Sequence, residues 1–586
     1  MNEPFFLDFP TWALAFSANL LGHIAFYFVL ALFLSRIGAR PWQWLLVAIV
    51  IVLSFDRHPI PFERFPVLDH KAALVAILLL YLATDANHQK AAALFAGVVG
   101  LVIGYLLVDK GTYILAGLAL VLVFLAFSLN RTRALSFAAL VGGMFAGFLG
   151  LWVLAGQSIA NVPGYFRGSY EIIAGYTAGE SWVRESGVAH GTVFLALGVA
   201  VLVSTGLGLL ITLWRRDWPV FRLLLLTSPV LYFAFKNSYV RFDEGHALAF
   251  WALAAVLQGL VLVRALTGIR ASGPTPALIA ALTVVGAVVL VGGVGPWLGN
   301  VPGFEPTFGF PDNLAGNSRA LSLFLHPDLR VDEEAQVNEA IRATYPLPPD
   351  VVARLREGTV SVVPTELQVP IGYGLQWDPQ PVLQMYVAYR PYLDHLDAEH
   401  FTGPRAPRFV LLSAETIDQH YPLFDGPETY RAIFQNYAVL EQVSSLVVLE
   451  RRPDAPNPQE VPAGAATGRL GEWIQVPNHG NQRIYGRVHV DYSVLGQAMY
   501  LLTSPPELYI RIQYGGGQVS PAFRFVPAIS ADGLDLSAYA PEISGIERIA
   551  LGQFDQPIEA IQITSSSPAS AYRQEVQVSY FTQGAG

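Results

Sequence analysis

The sequence predicts a polytopic α-helical membrane domain of about ten spans, followed by an extracytoplasmic α/β domain and a C-terminal β-sandwich. Two observations support this fold class. Apolar stretches with very little charge fill residues 1–300, whereas residues 301–586 have the mixed composition of a water-soluble protein. Only 14% of the whole chain is charged, against about 25% in an average soluble domain. The change near residue 300 therefore separates a bilayer-embedded half from a half in water.

The membrane domain is predicted to cover residues 1–300. A helix needs about 20 apolar residues to cross a bilayer. The stretches 42–55 and 71–84 are short by this measure and are alternatively a re-entrant pair. The N-terminus, MNEPFFLDFPTW, lacks the basic region of a signal peptide, so the first stretch is expected to stay as a membrane helix. The predicted spans are 11–34, 42–55, 71–84, 91–108, 112–129, 134–155, 191–213, 219–236, 246–265 and 276–297.

Basic residues in the short loops predict the orientation of the membrane domain. Mostly basic loops alternate along the chain, and the positive-inside rule places them in the cytoplasm. The N-terminus and the C-terminal half then lie outside the bacterial cytoplasmic (inner) membrane, and the inverted topology is the alternative. The basic loops are SRIGARP, DANHQK, NRTR, WRRDW and RALTGIR.

Composition excludes several functional classes. The chain contains no cysteine, which excludes disulfides, thiolate nucleophiles and Cys-ligated metals. The net charge is −9 and no basic tract is present, which argues against nucleic-acid binding.

The water-soluble half is predicted to contain two domains joined by a linker. Helical patterns that alternate with short apolar strands predict an α/β domain at 301–452. The Pro-, Ala- and Gly-rich segment 453–468 predicts a linker. Strand patterns such as RIYGRVHVDYS and ELYIRIQYG, separated by turns, predict a carbohydrate-module-like β-sandwich at 469–586.

Outward-facing loops carry polar residues that lipid would reject, and such residues mark functional sites in membrane proteins. The loop 55–71 contains Asp56, His58, Asp69 and His70. Their carboxylates and imidazoles predict a site for a divalent cation, Mg²⁺ or Mn²⁺, and Asp56 is also a candidate catalytic base. The alternative is a solvated loop in which opposite charges pair with one another.

A second loop, KNSYVRFDEGHALAFW, connects two apolar stretches and carries both signs of charge. Lys236, Arg241 and His246 are candidate ligands of a lipid phosphate, because Arg offers a bidentate fork and Lys a point charge. Asp243 and Glu244 are candidate catalytic carboxylates that accept the proton of an acceptor hydroxyl. The alternative is a membrane-surface turn whose charged ends reach the water.

Tyrosines and a glutamate in the loop 157–190 and in the segment 380–400 suit a glycan, because sugar rings stack on aromatic side chains while their hydroxyls bond to acids. The loop residues are equally suited to a membrane interface, and the segment 380–400 is alternatively a packed loop. The candidate acceptor-binding residues are Tyr165, Tyr170, Glu171, Tyr176, Tyr389 and Tyr392.

Three segments resemble a group of bacterial membrane proteins labelled glycosyltransferase-like: YFRGSYEIIAGY at 165–176, KNSYVRFDEGH at 236–246 and QPVLQMYVAYRPYLDHLDAEH at 380–400. Many helices, a charged outward face and an extracytoplasmic α/β and β tail also resemble the GT-C class of multi-span glycosyltransferases. The sequence departs from the paired acids usual in the first outward loop of that class, and its adjacent acids in an outward membrane loop are Asp243 and Glu244.

The resemblance implies transfer of a sugar from a polyprenyl-phosphate donor to a glycan or protein acceptor at the cell surface, in contact with membrane lipids. A different class of function is left open by the same residues. The chain is alternatively a non-catalytic scaffold or subunit of an envelope or energy-converting complex, whose outward domains bind a protein partner. A transporter is disfavoured, because the charges lie in loops and not within the spans.

Overall fold

A computed structural model gives the fold of the chain. It describes residues 9–55, 66–85, 88–108, 111–128, 134–183, 188–242, 244–267, 318–319, 321–454, 458–478, 480–566 and 569–584. The chain divides into two compact units. The helical unit comprises Phe6–Phe166 and Val183–Pro327, and the β-rich unit combines Arg167–Trp182 with Asp328–Gly586.

The helices of the N-terminal region follow the apolar stretches of the sequence. Uninterrupted Ala, Leu, Val and Phe favour helices here, because a helix satisfies its own main-chain polar groups where water is absent. They are α1 (Phe9–Arg36), α2 (Pro41–Phe55), α3 (Pro66–Asp85), α4 (Gln89–Leu106), α5 (Gly111–Ser128), α6 (Ala134–Leu154), α7 (Val162–Gly179), α8 (Val188–Trp214), α9 (Trp218–Val240) and α10 (Glu244–Thr267).

Among the described residues, five helical segments are long and apolar enough to cross a membrane: Gln89–Leu106, Ala134–Leu154, Leu195–Trp214, Trp218–Val240 and Phe250–Thr267. Shorter apolar segments are Leu21–Arg36, Pro41–Ile51 and Gly111–Phe127. The prediction of a helical N-terminal region with membrane-type helices is confirmed in this form. The predicted span 276–297 lies outside the described residues.

Helices α4 and α6 approach each other closely enough for main-chain contact. Each carries glycines four residues apart, in the sequences GLVIG and GMFAG. A Cβ at Gly104 would lie 2.6 Å from the main-chain oxygen of Met144, and one at Gly147 would lie 2.7 Å from that of Leu101. Small residues at this spacing let membrane helices pack backbone to backbone. The packing of α4 against α6 is therefore of the type found between membrane helices.

Polar contacts join three helices of the helical unit near their ends. The Arg222 guanidinium lies 3.0 Å from the Asp85 carboxylate and donates to the Thr84 main-chain oxygen at 2.7 Å. The Arg264 Nε donates to the Tyr81 hydroxyl at 2.7 Å. These contacts bring the end of α3, the start of α9 and the end of α10 together.

The β-rich unit begins with a mixed five-stranded sheet. Strands β1 (Thr359–Val363), β2 (Gln376–Trp377), β3 (Phe409–Leu412), β4 (Tyr437–Val443) and β5 (Leu446–Arg451) have the order β2-β1-β3-β5-β4. Strands β2, β1 and β3 are parallel, and the other pairs are antiparallel. The helices of this part are α11 (Pro327–Thr344), α12 (Pro349–Leu355), α13 (Gln368–Tyr373), α14 (Pro391–Thr402) and α15 (Pro427–Asn436).

The central strand β3 is buried on both faces. Phe409 and Leu411 belong to one hydrophobic cluster, and Val410 and Leu412 belong to another. Because successive side chains of a strand point to opposite faces, this division requires apolar residues at every position. The unbroken run FVLL is the sequence signal of such a strand.

Two antiparallel sheets complete the β-rich unit. One contains β6 (Gln459–Arg469), β8 (Ile484–Tyr492), β12 (Leu534–Asp535) and β14 (Tyr572–Gly584) in the order β12-β8-β14-β6. The other contains β7 (Trp473–Gln475), β9 (Leu508–Tyr514), β10 (Gln518–Val519) and β13 (Ile558–Ser565) in the order β10-β9-β13-β7, with β11 (Phe523–Phe525) paired to β9. Helices α16 (Val494–Leu502) and α17 (Ile543–Ala550) lie between strands in sequence.

Two domain boundaries differ from the sequence prediction. The expected linker 453–468 is largely strand β6, which pairs with β14. Its residues are small and mostly exposed, so the sequence carries no alternating pattern that predicts a strand. Pro462 is tolerated because the ladder has a bulge next to it and the strand is at a sheet edge. The segment Arg167–Trp182, expected within the membrane domain 1–300, belongs to the β-rich unit.

Candidate functional site

The second half of α7 is held against the stretch Tyr389–Tyr392 of the β-rich unit. The Arg390 guanidinium lies 3.0 Å from the Glu171 carboxylate. The Arg167 guanidinium stacks on the Tyr392 ring at 3.7 Å from its centroid, a close cation–π geometry. An ion pair and a cation–π contact therefore join segments that are far apart in the sequence.

Tyr389 occupies the centre of this contact. Its hydroxyl donates to the Glu180 carboxylate at 2.6 Å, and its ring meets the edge of Tyr176 with centroids 6.3 Å apart. Gly175 and Gly179, one helical turn apart, leave room for the ring, since a Cβ at Gly179 would lie 2.6 Å from Tyr389 Cε1. Burial, and then the charge of Glu180, raise the pKa of Tyr389 well above its usual range, so the hydroxyl stays a donor.

The C-terminal end of α7 is capped by a buried arginine from β11. The Arg524 Nη2 donates to the main-chain oxygen of Ala178 at 3.0 Å and to Ser181 Oγ at 2.6 Å. Its Nη1 donates to the Leu508 main-chain oxygen at 3.1 Å. The last carbonyls of a helix have no partner within the helix, and a cation there is stabilising. Arg524 therefore fixes where this helix ends.

A cleft of about 750 Å³ lies between this segment and the sheet that contains β6, β8 and β14. Small residues of α7 (Ala174, Gly175 and Ala178) form one wall, and Tyr492, Tyr500 and the loop 527–531 contribute to the others. The Tyr500 hydroxyl donates to the Ala174 main-chain oxygen, which ties α16 to α7. The residues that line the cleft are Ala174, Gly175, Ala178, Arg390, Ala465, Ala466, Thr467, Arg487, Val488, His489, Val490, Tyr492, Tyr500, Pro527, Ala528, Ala531, Gln577, Val578 and Ser579.

The register of strands β6, β8 and β14 places polar side chains next to one another on the floor of the cleft. Arg487 is directly opposite Ser579, and His489 is opposite Gln577, which in turn is opposite Thr467 on β6. The alternate residues, such as Val488 and Val578, are buried in the hydrophobic core. Because strand side chains alternate between faces, one face of this sheet presents hydroxyl, amide, imidazole and guanidinium groups side by side.

The basic side chains of the cleft have carboxylate partners. Arg487 Nη2 lies 2.8 Å from both oxygens of Glu460, and its guanidinium stacks on Phe581 at 4.1 Å. The exposed His489 lies 3.1 Å from Asp491. These groups can bind sugar hydroxyls, and an anionic ligand would have to compete with the carboxylates for the arginines.

Helix α14, next to the cleft-lining Arg390 in sequence, carries two buried carboxylates. Asp394 accepts hydrogen bonds from the main-chain nitrogens of Glu428 and Thr429 at 2.8 and 2.9 Å. Burial raises the pKa of Asp394 to about 6, and these hydrogen bonds oppose the rise. Burial raises the pKa of Asp397 to about 8. Asp394 thus caps the start of α15, and Asp397 holds a proton at neutral pH.

Five of the six candidate acceptor residues come together in the β-rich unit. Their side chains hold α7 in place, and the cleft beside them is lined by other residues. Tyr165 belongs to the helical unit, where its hydroxyl donates to the Leu107 main-chain oxygen at 2.7 Å and its ring contacts Trp152. Their role in binding an acceptor stays a prediction. The five residues are Tyr170, Glu171, Tyr176, Tyr389 and Tyr392.

The candidate lipid-phosphate and catalytic residues are only partly described. Lys236 and Arg241 are half-buried at the end of α9. Glu244 begins α10 and His246 follows it, but the description there covers only the main chain. Asp56 and Asp243 lie outside the described residues.

The candidate metal site is also incomplete. His58 lies outside the described residues, and Asp69 is described by its main chain alone. Helix α3 begins at Pro66, so Asp69 and His70 are helical and not part of a loop that extends to residue 71. His70 is buried against Tyr113, with ring centroids 5.7 Å apart. Within the described ranges, no group of three or more His, Cys, Asp or Glu residues could hold a metal ion.

The cleft was missed by sequence reasoning, although a signal for it is present. The alternation of polar and apolar residues in GRVHVDY and EVQVSY predicts a polar face on each of two strands. Their pairing, which doubles the polar face, follows only from the register. No family model, curated protein or solved structure matches the chain.

Proposed function

We propose that the chain is a membrane glycosyltransferase that moves a sugar from a polyprenyl-phosphate donor to a cell-surface glycan or protein. In this proposal about ten spans lie in the bacterial cytoplasmic membrane, and the α/β part and a β-sandwich lie outside. The observation that carries it is the cleft, whose floor of hydroxyl, amide, imidazole and guanidinium groups is suited to the hydroxyls of a glycan. The cleft is bordered by α7, whose chain continues into apolar helices on both sides.

The proposed chemistry assigns one task to each set of residues. The cleft holds the acceptor. A carboxylate, Asp243, Glu244 or Asp56, accepts the proton of the acceptor hydroxyl as its oxygen bonds to the anomeric carbon. The bond from that carbon to the phosphate oxygen breaks, and the phosphate leaves with the electron pair. Lys236, Arg241 and His246 stabilise the charge that develops on it. A Mg²⁺ or Mn²⁺ ion at the loop 55–71 stays a prediction, and no step depends on it.

Sugar transfer by the full chain in lipid nanodiscs tests this proposal. The probes are radiolabelled polyprenyl-phosphate hexoses as donors and cell-wall glycan fragments as acceptors. Arg241→Ala and Asp243→Asn should abolish transfer while the protein still inserts into the membrane. Normal transfer by both variants would remove the proposal, as would the failure of the wild-type chain to transfer from any donor.

A cleft variant separates acceptor binding from catalysis. His489→Ala removes an exposed imidazole from the cleft floor and should raise KM for the acceptor severalfold, with kcat and KM for the donor unchanged. The matched control is His395→Ala, because His395 is also exposed in the β-rich unit but does not line the cleft. An equal effect of both variants would contradict acceptor binding in the cleft.

A non-catalytic scaffold is the second candidate function. Charged and aromatic side chains of the segment Arg167–Trp182 make contacts inside the β-rich unit, such as Glu171 with Arg390 and Glu180 with Tyr389, and these contacts favour the scaffold. A surface built this way suits a rigid platform for a protein partner. Purification of the full chain with a stable partner, together with no transfer activity, would favour this function.

A further inference from the structure

Helix α16, Val494–Leu502, presents an apolar face to the outside of the β-rich unit. Five of its nine residues, at positions i, i+1, i+4, i+7 and i+8, are apolar and exposed. Because residues at this spacing share one side of an α-helix, they form a single stripe. They are Val494, Leu495, Ala498, Leu501 and Leu502, and the large side chains among them are 84%, 48%, 66% and 61% exposed, respectively.

The opposite face of α16 is fixed to the protein. Gly496 is buried, and a Cβ there would lie 3.1 Å from the ring of Tyr492. The Ser493 side chain accepts from the Gly496 main-chain nitrogen at 3.2 Å and caps the helix. The exposed stripe is therefore held in place on a helix whose ends and inner face are fixed. The chain has no charged residue between Asp491 and Glu507.

We propose that the apolar stripe of α16 inserts into the surface of the lipid bilayer. The Tyr500 hydroxyl joins this helix to Ala174 of α7. The chain leaves α7 toward the apolar segment Ala134–Leu154 on one side and toward Leu195–Trp214 on the other. Ala174 lies 20 residues after Leu154 and 21 residues before Leu195 in the sequence, so α16 is attached to a segment that is flanked in the chain by membrane-type helices.

The size and composition of the stripe fit lipid better than a second protein. A nine-residue helix offers a strip about 13 Å long and about 10 Å wide, whereas a stable protein interface covers roughly 800 Å² per partner. Interfacial helices bury an apolar face about 5–10 Å into the boundary between headgroups and acyl chains. This inference depends on membrane insertion of the chain and not on sugar transfer.

Depth-dependent fluorescence quenching tests the inference on the full chain. This chain has no cysteine, so Leu501→Cys can be labelled alone with an environment-sensitive dye in lipid nanodiscs. The matched control is Val519→Cys, because Val519 is also an exposed apolar residue of the β-rich unit, at 50%. We expect a blue-shifted emission for the label at 501 and quenching by nitroxide-bearing lipids, and neither for the label at 519.

Two results would overturn the inference. Quenching of the label at 501 by aqueous iodide, with no quenching by the lipid nitroxide, would show that the stripe faces water. Protection of the label from both quenchers would show that protein covers the stripe, either another segment of this chain, a second copy or a partner. Wild-type transfer activity has no bearing on either result, so this test fails or succeeds independently of the proposed function.

Discussion

The Tyr389 hydroxyl donates a 2.6 Å hydrogen bond to the carboxylate of Glu180, which lies 209 residues earlier in the chain. Both side chains are buried, at 2% and 5% exposure. The bond joins the segment Arg167–Trp182, which is flanked in the sequence by membrane-type helices, to the rest of the β-rich unit. Helix α14, which carries two buried carboxylates, begins two residues after Tyr389.

Tyr389→Phe should lower the free energy of unfolding of the β-rich unit by about 1–3 kcal/mol, because it leaves the buried Glu180 carboxylate without this donor. The measurement is pulse proteolysis of the detergent-solubilised full chain in urea. Tyr392→Phe is the control, since it keeps the ring on which Arg167 stacks. Equal stability of the Tyr389 and Tyr392 variants would show that the bond to Glu180 contributes nothing.

Gly179→Ala should separate α7 from Tyr389. The added methyl group would lie 2.6 Å from Tyr389 Cε1, and overpacking of this kind costs about 1–3 kcal/mol. On the same helix, a Cβ at Gly168 meets no atom of the described residues within 4 Å. Gly168→Ala should therefore be neutral or stabilise by about 0.5–1 kcal/mol, because Ala favours a helix over Gly.

Protease resistance of the segment 167–182 distinguishes these two variants. Cleavage there should become faster in Gly179→Ala and stay unchanged in Gly168→Ala. If both variants were cleaved at the wild-type rate, the close approach of α7 to Tyr389 would be wrong.

Asp394→Ala should destabilise the start of α15. The carboxylate accepts from two main-chain nitrogens and from Thr429 Oγ1 at 2.7 Å, and loss of such a cap costs about 0.5–2 kcal/mol. Hydrogen exchange at the amides of Glu428 and Thr429 measures the effect locally. Glu399→Ala, on the same helix and 63% exposed, should leave that exchange slow. Unchanged exchange in Asp394→Ala would contradict the capping role.

The stability of the β-rich unit should fall as pH rises from about 4 to about 8, and Asp397 is one cause. Burial raises the pKa of Asp397 from 3.8 to about 8, so the folded state binds a proton that the unfolded state has released. The contribution is complete below the unfolded pKa and is lost as pH rises toward the folded pKa, by at most about 1.4 kcal/mol per pH unit.

Asp397→Asn tests this pH dependence. The amide oxygen of Asn can still accept the 2.8 Å bond from the Val382 main-chain nitrogen that the carboxylate accepts, and it does not titrate. Thermal unfolding temperatures between pH 4.5 and pH 8.5 should therefore vary less in the variant than in the wild type. Parallel curves for the two proteins would show that Asp397 titrates in its ordinary range.

Local patterns predicted most of the individual elements. The run FVLL became strand β3, and the alternation in RIYGRVHVDYS became β8, because burial on two faces or on one face imposes these two patterns. Edge strand β6 was missed, since its small, exposed residues carry neither pattern. The predicted β-sandwich at 469–586 did not include helix α16, although Ser493 caps this helix and its apolar residues have helical spacing.

The sequence alone determined that the first half forms apolar helices and that the second half folds in water with a large share of β-structure, because chain composition decides which solvent each half can enter. The tertiary structure decided which distant segments meet: α7 with Tyr389, and Arg487 with Ser579 in the cleft. Such contacts depend on strand register and on the fit of a ring against glycines. Neither the register nor the fit produces a periodic pattern in the neighbouring sequence from which it could be predicted.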